Sequence, residues 1–378
     1  MDVTRLIWRR WVGRHPTGVD RVCLAYLEHY APNSQAVVHH PRSRRILDRT
    51  ASNNLFELLM EPRGNARRGL VKSILRSTTR RSLDAKRRLY FNVGHTGLDD
   101  PGFTAWVRNS DCRPIYLVHD LIPITHPEYC RNGEKSRHVQ RMRTALSTAA
   151  GVIGNSKATL DDLSAFGRAE KLQPVPALAA WLGTTDRLAL PKTERKKPDR
   201  PTFVVLGTIE ARKNHMLLLQ VWDRMIRRMG SQAPRLLIIG QRGWECEQVF
   251  DLLDRSETLR KGVVELGHCD DNELAGHLSS ARALLFPSLV EGYGLPLIEA
   301  LRAGTPVIAS DLPVFREIGQ GIPELLDPLD GPAWERAILS YAEEKNDRRE
   351  KQLQPLAAFR APTWHEHFSN VDSWIEQF

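Results

Sequence analysis

Phe286 to Ala309 reads FPSLVEGYGLPLIEALRAGTPVIA, and the order of its parts decides the fold. An apolar strand over Ala283–Phe286 breaks into a glycine-bearing loop and restarts as a helix with Pro296 in its first turn. A second apolar run, Val307–Ala309, follows as the next strand. Strand, glycine loop and helix start together make a seat for an anion, because backbone N–H groups and the positive end of the helix dipole face whatever the loop encloses. Two carboxylates bracket the seat, Glu291 in the loop and Glu299 about a turn into the helix, with seven residues between them. Both cannot hold a phosphate. As acceptors they suit hydroxyl groups, so the expected ligand combines a diphosphate with sugar hydroxyls on either side.

Val204 to His215, reading VVLGTIEARKNH, points the same way. A strand ends at Gly207, and Glu210, Arg212, Lys213 and Asn214 lead into a helix. Cations sit badly at that end of a helix dipole, and a bound anion gives them a reason to be there. Breaking a sugar–phosphate bond leaves negative charge on the diphosphate, which fixed cations stabilise without a metal.

These two segments resemble the retaining GT-B glycosyltransferases of family 4. The FPS strand end, the Glu-x7-Glu pair, the GYGLP turn and the AGTPVIAS strand stand in family order. An isolated Glu pair would be read as a solvated helix face; with those flanks it is read as a site. The resemblance implies an α/β fold of two doubly wound, Rossmann-like domains facing across a cleft. It implies that Arg212 and Lys213 bind the donor diphosphate, supported by the backbone N–H groups of Gly294 and Leu295 in a turn that also holds Gly292 and Tyr293. Glu291 would hold hydroxyls of the donor sugar, Glu299 the ribose diol, Gly207 the strand end beside the donor, and the segment Gly267, His268, Cys269 and Asp270 the base. Transfer would proceed with retention, by a same-face substitution in which the departing phosphate oxygen takes the proton of the acceptor hydroxyl.

The first half resembles the family more loosely. Pro16-Thr17-Gly18-Val19-Asp20-Arg21 precedes a helical run and is similar to the family's glycine-bearing first loop, which places Gly18 near donor phosphate and Arg21 on the acceptor side. Leu117-Val118-His119-Asp120 delivers a His-Asp pair to the carboxyl end of a strand, where open α/β sheets place their ligands. The resemblance implies that His119 contacts the donor sugar near the reacting carbon; Asp120 beside it is expected to orient that ring and to stand on the acceptor side. Gly94-His95-Thr96-Gly97 follows another strand and is expected on the acceptor side, as are Asn155 and Ser156.

At 378 residues the chain is expected to form two domains. Strands read at Ala36–Val38, Leu89–Val93, Ile115–Val118 and Gly151–Gly154 in the first half. Those of the second are Phe203–Leu206, Leu236–Ile239, Val263–Leu266, Ala283–Phe286 and Val307–Ala309. They alternate with helical patterns, so the sheets are parallel. The expected organisation is an acceptor domain over 1–185, a linker over 186–201, a nucleotide-sugar domain over 202–360 and a last helix over 361–378 returning to the first domain. His365 and His367, at i, i+2 on that helix, point to different sides and are given no ligand role. Five scattered cysteines, none in a C-x-x-C spacing, argue against a disulfide frame and a zinc site. No two Asp stand at i, i+2, the spacing with which another transferase fold holds its divalent ion, so no metal cofactor is expected.

The net charge of +9 is concentrated: Pro41 to Tyr90 holds fourteen Lys or Arg against four Asp or Glu. Within it Leu70, Val71, Ile74 and Leu75 share one side of a helical wheel and Lys72, Arg76 and Arg80 another, a pattern that suits either an anionic membrane surface or a solvated helix. Few aromatics accompany the charge, so nucleic acid is not expected as a partner. With no apolar span and no signal-peptide region in MDVTRLIWRRWVGRH, the expected place is the cytoplasm, peripheral on the inner face of the membrane.

TGVDRV, NVGHTGL and HDLIPITHPE look like bacterial exopolysaccharide mannosyltransferases. That likeness implies transfer of mannose from GDP-mannose to a polyprenyl-diphosphate-linked oligosaccharide. A UDP-hexose transferase is the alternative within the class. A UDP-sugar epimerase of the same architecture and an inactive binding subunit are weaker, since no epimerase acid–base set is visible and Glu291, Arg212 and Lys213 are all present. No G-x-G-x-x-G opens either half, which disfavours a dehydrogenase.

Overall fold

The computed structural model describes residues 1–13, 17–40, 43–61, 88–184, 198–267 and 269–378. Pro16, the basic helix expected around residues 70–80, most of the expected linker and His268 lie outside the described residues. The chain divides into two compact units, one of Met1–Ile124, Asn132–Leu182 and Trp364–Phe378, the other of Thr125–Arg131 and Gly183–Thr363.

In the first unit β1 (Val37–His40) and β2 (Ser43–Ile46) form an antiparallel pair. Strands β3 (Leu89–Asn92), β4 (Arg113–Val118), β5 (Gly151–Gly154) and β6 (Ala177–Ala179) form a parallel sheet in that order. Met1–Val3 joins the two. The Asp2 amide donates to Phe91 O at 2.8 Å, and Val37 N donates to Met1 O at 2.8 Å. Three residues are too few to show an alternation, so no strand was legible there. Helix α1 (Thr4–Val12) follows at once, then α2 (Gly18–Tyr30) and, after β2, α3 (Arg49–Met60). A Thr17–Asp20 capping box starts α2, and the Asp48 carboxylate caps α3 by accepting from Ala51 N at 2.8 Å.

The last helix, Trp364–Ile375, packs against this sheet and α2. His367 is buried, with Nε2 at 2.8 Å from the Tyr26 hydroxyl and Nδ1 at 2.9 Å from Trp181 O, while His365 is exposed. Both ring nitrogens of His367 are therefore engaged within the packing. Gly151 is required where Trp374 crosses β5, because a Cβ there would collide with the indole.

The second unit is a six-stranded, wholly parallel sheet of β7 (Thr202–Leu206), β8 (Arg235–Ile239), β9 (Val263–Leu266), β10 (Leu284–Phe286), β11 (Val307–Ser310) and β12 (Glu324–Leu326). Its order across the sheet is β9-β8-β7-β10-β11-β12. Numbered within the unit this is 3-2-1-4-5-6, the doubly wound order whose reversal falls between the first and fourth strands, β7 and β10. Helices cover the sheet, so its central strands are continuous apolar runs. Phe203, Val205, Leu236, Ile238, Leu285 and Ile308 are buried in one core with Trp222 and Trp334.

Candidate active site

The connections leaving β7 and β10 diverge at the reversal point, and the carboxyl ends of these strands are where such sheets bind ligands. After β7, Gly207 takes φ +135°. Its carbonyl lies so close to Gly240, at the end of β8, that any Cβ on Gly240 would collide with it. The chain then runs through Glu210 into a single 3-10 turn, Ala211–Lys213. Asn214, left-handed at φ +55°, turns it into the helix His215–Met229. The loop after β10 is tied to this turn through Leu289 N, which donates to Arg212 O at 2.8 Å.

Those two loops bring together residues 78 and 79 positions apart. Glu291 Oε2 accepts from Arg212 Nη1 at 2.8 Å, and Oε1 accepts from the Lys213 ammonium and from Ser288 Oγ, the latter at 2.8 Å. Arg212 Nε donates to Glu210 Oε2 at 3.1 Å, so two cations and two carboxylates close a neutral cluster. Lys213 Nζ also lies 4.8 Å from the centroid of the Phe286 ring. Burial works against the Glu291 carboxylate, but Arg212, Lys213 and Ser288 outweigh it and hold its pKa down at about 2. Burial lowers the Lys213 pKa against the pull of Glu291, and raises that of Glu210 against Arg212 and Lys213.

The helix Leu295–Arg302 begins as expected, with Pro296 in its first turn. Gly294 precedes it at φ +112°, and a Cβ there would fall 2.7 Å from the Phe315 ring. Glycine thus sets the direction in which the helix start points. Glu299 is buried a turn in, Tyr293 is buried beside the glycine, and Gly292 and Leu295 are half-buried. On the β9 side Gly267 is exposed and Cys269 half-buried. Asp270 is spent on the helix that follows, accepting from Glu273 N at 2.8 Å.

In the first unit the strand ends are laced by histidines. His119, buried after β4, donates from Nε2 to Val93 O at 2.7 Å; His95, left-handed at φ +57° after β3, donates from Nε2 to Leu117 O at 2.8 Å. His138 adds a bond to Asp120 O at 3.1 Å, and its ring centroid lies 5.9 Å from that of His95. Burial lowers all three pKa values, to about 4 for His119. The rings are neutral at pH 7.

Two expectations are corrected. The Asp120 carboxylate does not orient the His119 ring: it accepts from Ile122 N at 3.1 Å and so caps the turn that follows β4. Ser156, expected on the acceptor side, is fully buried as the cap of the helix Lys157–Ala169, accepting from Thr159 N at 3.0 Å. Its neighbour Asn155 donates to His119 O at 2.8 Å and supports that residue from below. Gly18 opens α2 and is exposed, while Arg21 and Thr96 are half-buried. Sequence reasoning missed His138, which lies mid-helix without a motif. It also missed Arg5 and Arg9 of α1, which meet the buried Asp20 of α2 at 2.6 and 2.8 Å.

Residues 186–350 match the family described as glycosyl transferases group 1. An O-antigen chain mannosyltransferase B of Escherichia coli is 31% identical over 268 residues, covering 67% of this chain and 67% of that protein. The chain belongs to the group 1 glycosyltransferases. The serotype-specific mannosyltransferase WbdA of Escherichia coli is 30% identical over 226 residues, 54% of this chain, and the match spans only 27% of its own length. Among solved structures, Anabaena HepE in complex with UDP-glucose superposes with a TM-score of 0.66 at 15% identity, covering 96% of this chain and 97% of that one. The sucrose-phosphate synthase of Thermosynechococcus elongatus gives 0.61 at 19%, covering 96% and 93%. The fold is GT-B.

Proposed function

We propose that this protein is a retaining, metal-independent family 4 glycosyltransferase that moves mannose from GDP-mannose to a lipid-linked oligosaccharide at an anionic membrane face. The observation that carries the reading is the convergence of Arg212, Lys213 and Glu291 at the strand-order reversal. An incoming diphosphate would compete with Glu291 for the two cations. Its phosphates would take the positive charge, and the released carboxylate would become an acceptor for sugar hydroxyls. In the proposed step the bond from the anomeric carbon to phosphate breaks and a bond to the acceptor oxygen forms on the same face. The acceptor proton passes to the departing phosphate oxygen, so no enzyme carboxylate serves as base. Arg212 and Lys213 stabilise the charge left on the diphosphate. His119 is assigned to the transferred sugar, Glu299 to the ribose, and Gly267 and Cys269 to the base.

Mannose as the sugar follows the relatives, whose names are those of mannosyltransferases. A UDP-hexose donor is the second reading, because a structural neighbour matching nearly the whole chain was solved with UDP-glucose. The test is thermal stability with GDP, UDP, ADP or dTDP, with and without EDTA, followed by transfer from GDP-[14C]mannose to a lipid-linked acceptor. Saturating ligand at a hundred times its dissociation constant stabilises by about 2.7 kcal/mol. A rise with GDP alone, unchanged by EDTA, and its loss in Lys213→Ala support the proposal. A rise with UDP alone replaces mannose by a UDP-hexose, and no rise with any nucleotide overturns the donor site.

A further inference from the structure

Asp20 is buried in the first turn of α2, and both its carboxylate oxygens are taken. Oδ1 accepts from Arg5 Nε at 2.6 Å; Oδ2 accepts from Thr17 N and Thr17 Oγ1, both at 2.7 Å, with Arg9 Nε 2.8 Å away. The Thr17 bonds are those of the capping box, so this carboxylate is fixed where it stands. One negative charge therefore meets two guanidiniums, which leaves the set one positive charge in excess. Arg9, whose side chain is 16% exposed, suffices to balance Asp20 and to tie α1 to α2. Arg5, 31% exposed, is the surplus.

Asp20 holds the Arg5 guanidinium by its Nε edge. Nη2 reaches Thr17 Oγ1 only at 3.5 Å, and Nη1 has no partner among the described residues, so the two terminal nitrogens are unspent. A guanidinium anchored at one edge and open at the other is arranged to take an oxyanion with two parallel bonds. It also stands where ligands bind. Asp2 N donates to Phe91 O of β3, so α1 leaves the end of a short segment paired with that strand. Gly94, just past β3, lies against the Arg5 stem: a Cβ there would stand 3.0 Å from both Cβ and Cδ of Arg5. His119, just past β4, is within reach of the Arg5 charge, which works in the same direction as burial on its pKa. The open edge is thus held at the carboxyl ends of adjacent parallel strands, the binding end of an open α/β sheet.

We propose that Arg5 binds the carboxylate or phosphate of an acidic sugar at the accepting end of the glycan, with Asp20 as its positioning residue. The inference rests on the glycosyltransferase reading above and deepens it by naming the class of acceptor. In that reading Arg212 and Lys213 serve the donor diphosphate and His119 the transferred sugar, so an oxyanion beside His119 belongs to the acceptor. A neutral acceptor sugar would leave the surplus charge of Arg5 unanswered, whereas a sugar acid or sugar phosphate neutralises it through charge-assisted bonds.

The test is calorimetric titration of the full chain with glucuronate, glucose 6-phosphate and glucose, each with and without saturating GDP. The wild type is expected to bind at least one of the acids about tenfold or more tightly than glucose, with GDP present as well as absent. Arg5→Gln is expected to bind that acid at least about tenfold more weakly than wild type while keeping the GDP-induced thermal shift. Arg5→Lys, which keeps a charge for Asp20 but has no second edge, is expected to fold as wild type by circular dichroism and to bind the acid at least about threefold more weakly. Acids bound no better than glucose, or bound equally by wild type and either folded variant, would overturn the assignment. So would an Arg5→Gln variant that keeps the acids and loses the GDP shift, which would give Arg5 to the donor diphosphate. A wild type without a GDP shift that still binds the acids through Arg5 would remove the donor reading and leave the anion site standing.

Discussion

Glu291→Gln removes one negative charge from the centre of the Arg212–Lys213 cluster while keeping the shape of the side chain. The structure sets the size of the effect. Holding Glu291 at about 2 against an ordinary 4.5 corresponds, at about 1.4 kcal/mol per unit, to roughly 3 kcal/mol of preference for the carboxylate in the folded state. The range of about 3–5 kcal/mol for removing one member of a buried ion pair overlaps it. At roughly 2–4 °C per kcal/mol for a unit of this size, the variant should melt about 6–12 °C lower.

The pH dependence separates this charge effect from a packing defect. Because the folded pKa is depressed, the Glu291 contribution is complete above about 4.5 and is lost as pH falls through about 2. The gap between wild type and variant should therefore be constant from neutral pH down to about 5 and shrink below 4.5. Calorimetry of both proteins across that range measures it. Pyrophosphate should also raise the melting temperature of the variant more than that of the wild type, since its two cations have lost a counter-charge. A variant melting within about 2 °C of wild type at neutral pH, or a gap that does not narrow in acid, would refute the reasoning.

Two further outcomes follow from the same structure. Gly294→Ala forces a Cβ to 2.7 Å from the Phe315 ring at φ +112°, so it should destabilise by about 1–3 kcal/mol or more and abolish the nucleotide-induced thermal shift; normal melting with normal nucleotide binding would show that the turn is not fixed as described. Burial holds His119, His215 and His367 at about 4, below the ordinary 6.5, so the unfolded chain binds more protons between those values. Stability should be full above pH 6.5 and decline as pH falls toward 4, by up to about 3 kcal/mol for each histidine, and urea midpoints that stay level from pH 7 to 5 would contradict it.

The readable parts of the sequence were those whose signal is local. Strands β7 to β11 are largely apolar runs bounded by turns, and they stand within a residue of where periodicity put them. Strands β6 and β12 were missed because each has three residues and none of them is buried. The Ser43–Ile46 partner of β1, SRRI, was missed because it carries two arginines where a strand pattern needs apolar residues. At the site, Arg212, Lys213 and Glu291 were legible as a set, but their mutual neutralisation was not. It depends on β7 and β10 being neighbours, a property of the strand order and not of either segment. Asp120 and Ser156 failed for a different reason: Asp and Ser just after a strand serve turns and helix caps as readily as ligands, and only the hydrogen bonds tell which.

The cluster at the reversal point also explains why Glu291 belongs in the loop after β10. Two cations in the turn before the helix His215–Met229 lie at its positive end, where they repel one another and the dipole. Burying both without a counter-charge would cost more than the loop could sustain. A neutral acceptor in place of Glu291 would leave them unbalanced in the protein alone, and a carboxylate fixed beyond their reach would leave the sugar hydroxyls without an acceptor when the diphosphate arrives. Glu291, held by Arg212, Lys213 and the Ser288 hydroxyl, meets the first need in the structure. In the proposed reaction it meets the second once phosphate has displaced it. The strength of that internal ion cluster is then also the barrier that any donor must overcome, so the most stable form of the protein alone and the tightest nucleotide binding cannot be optimised together.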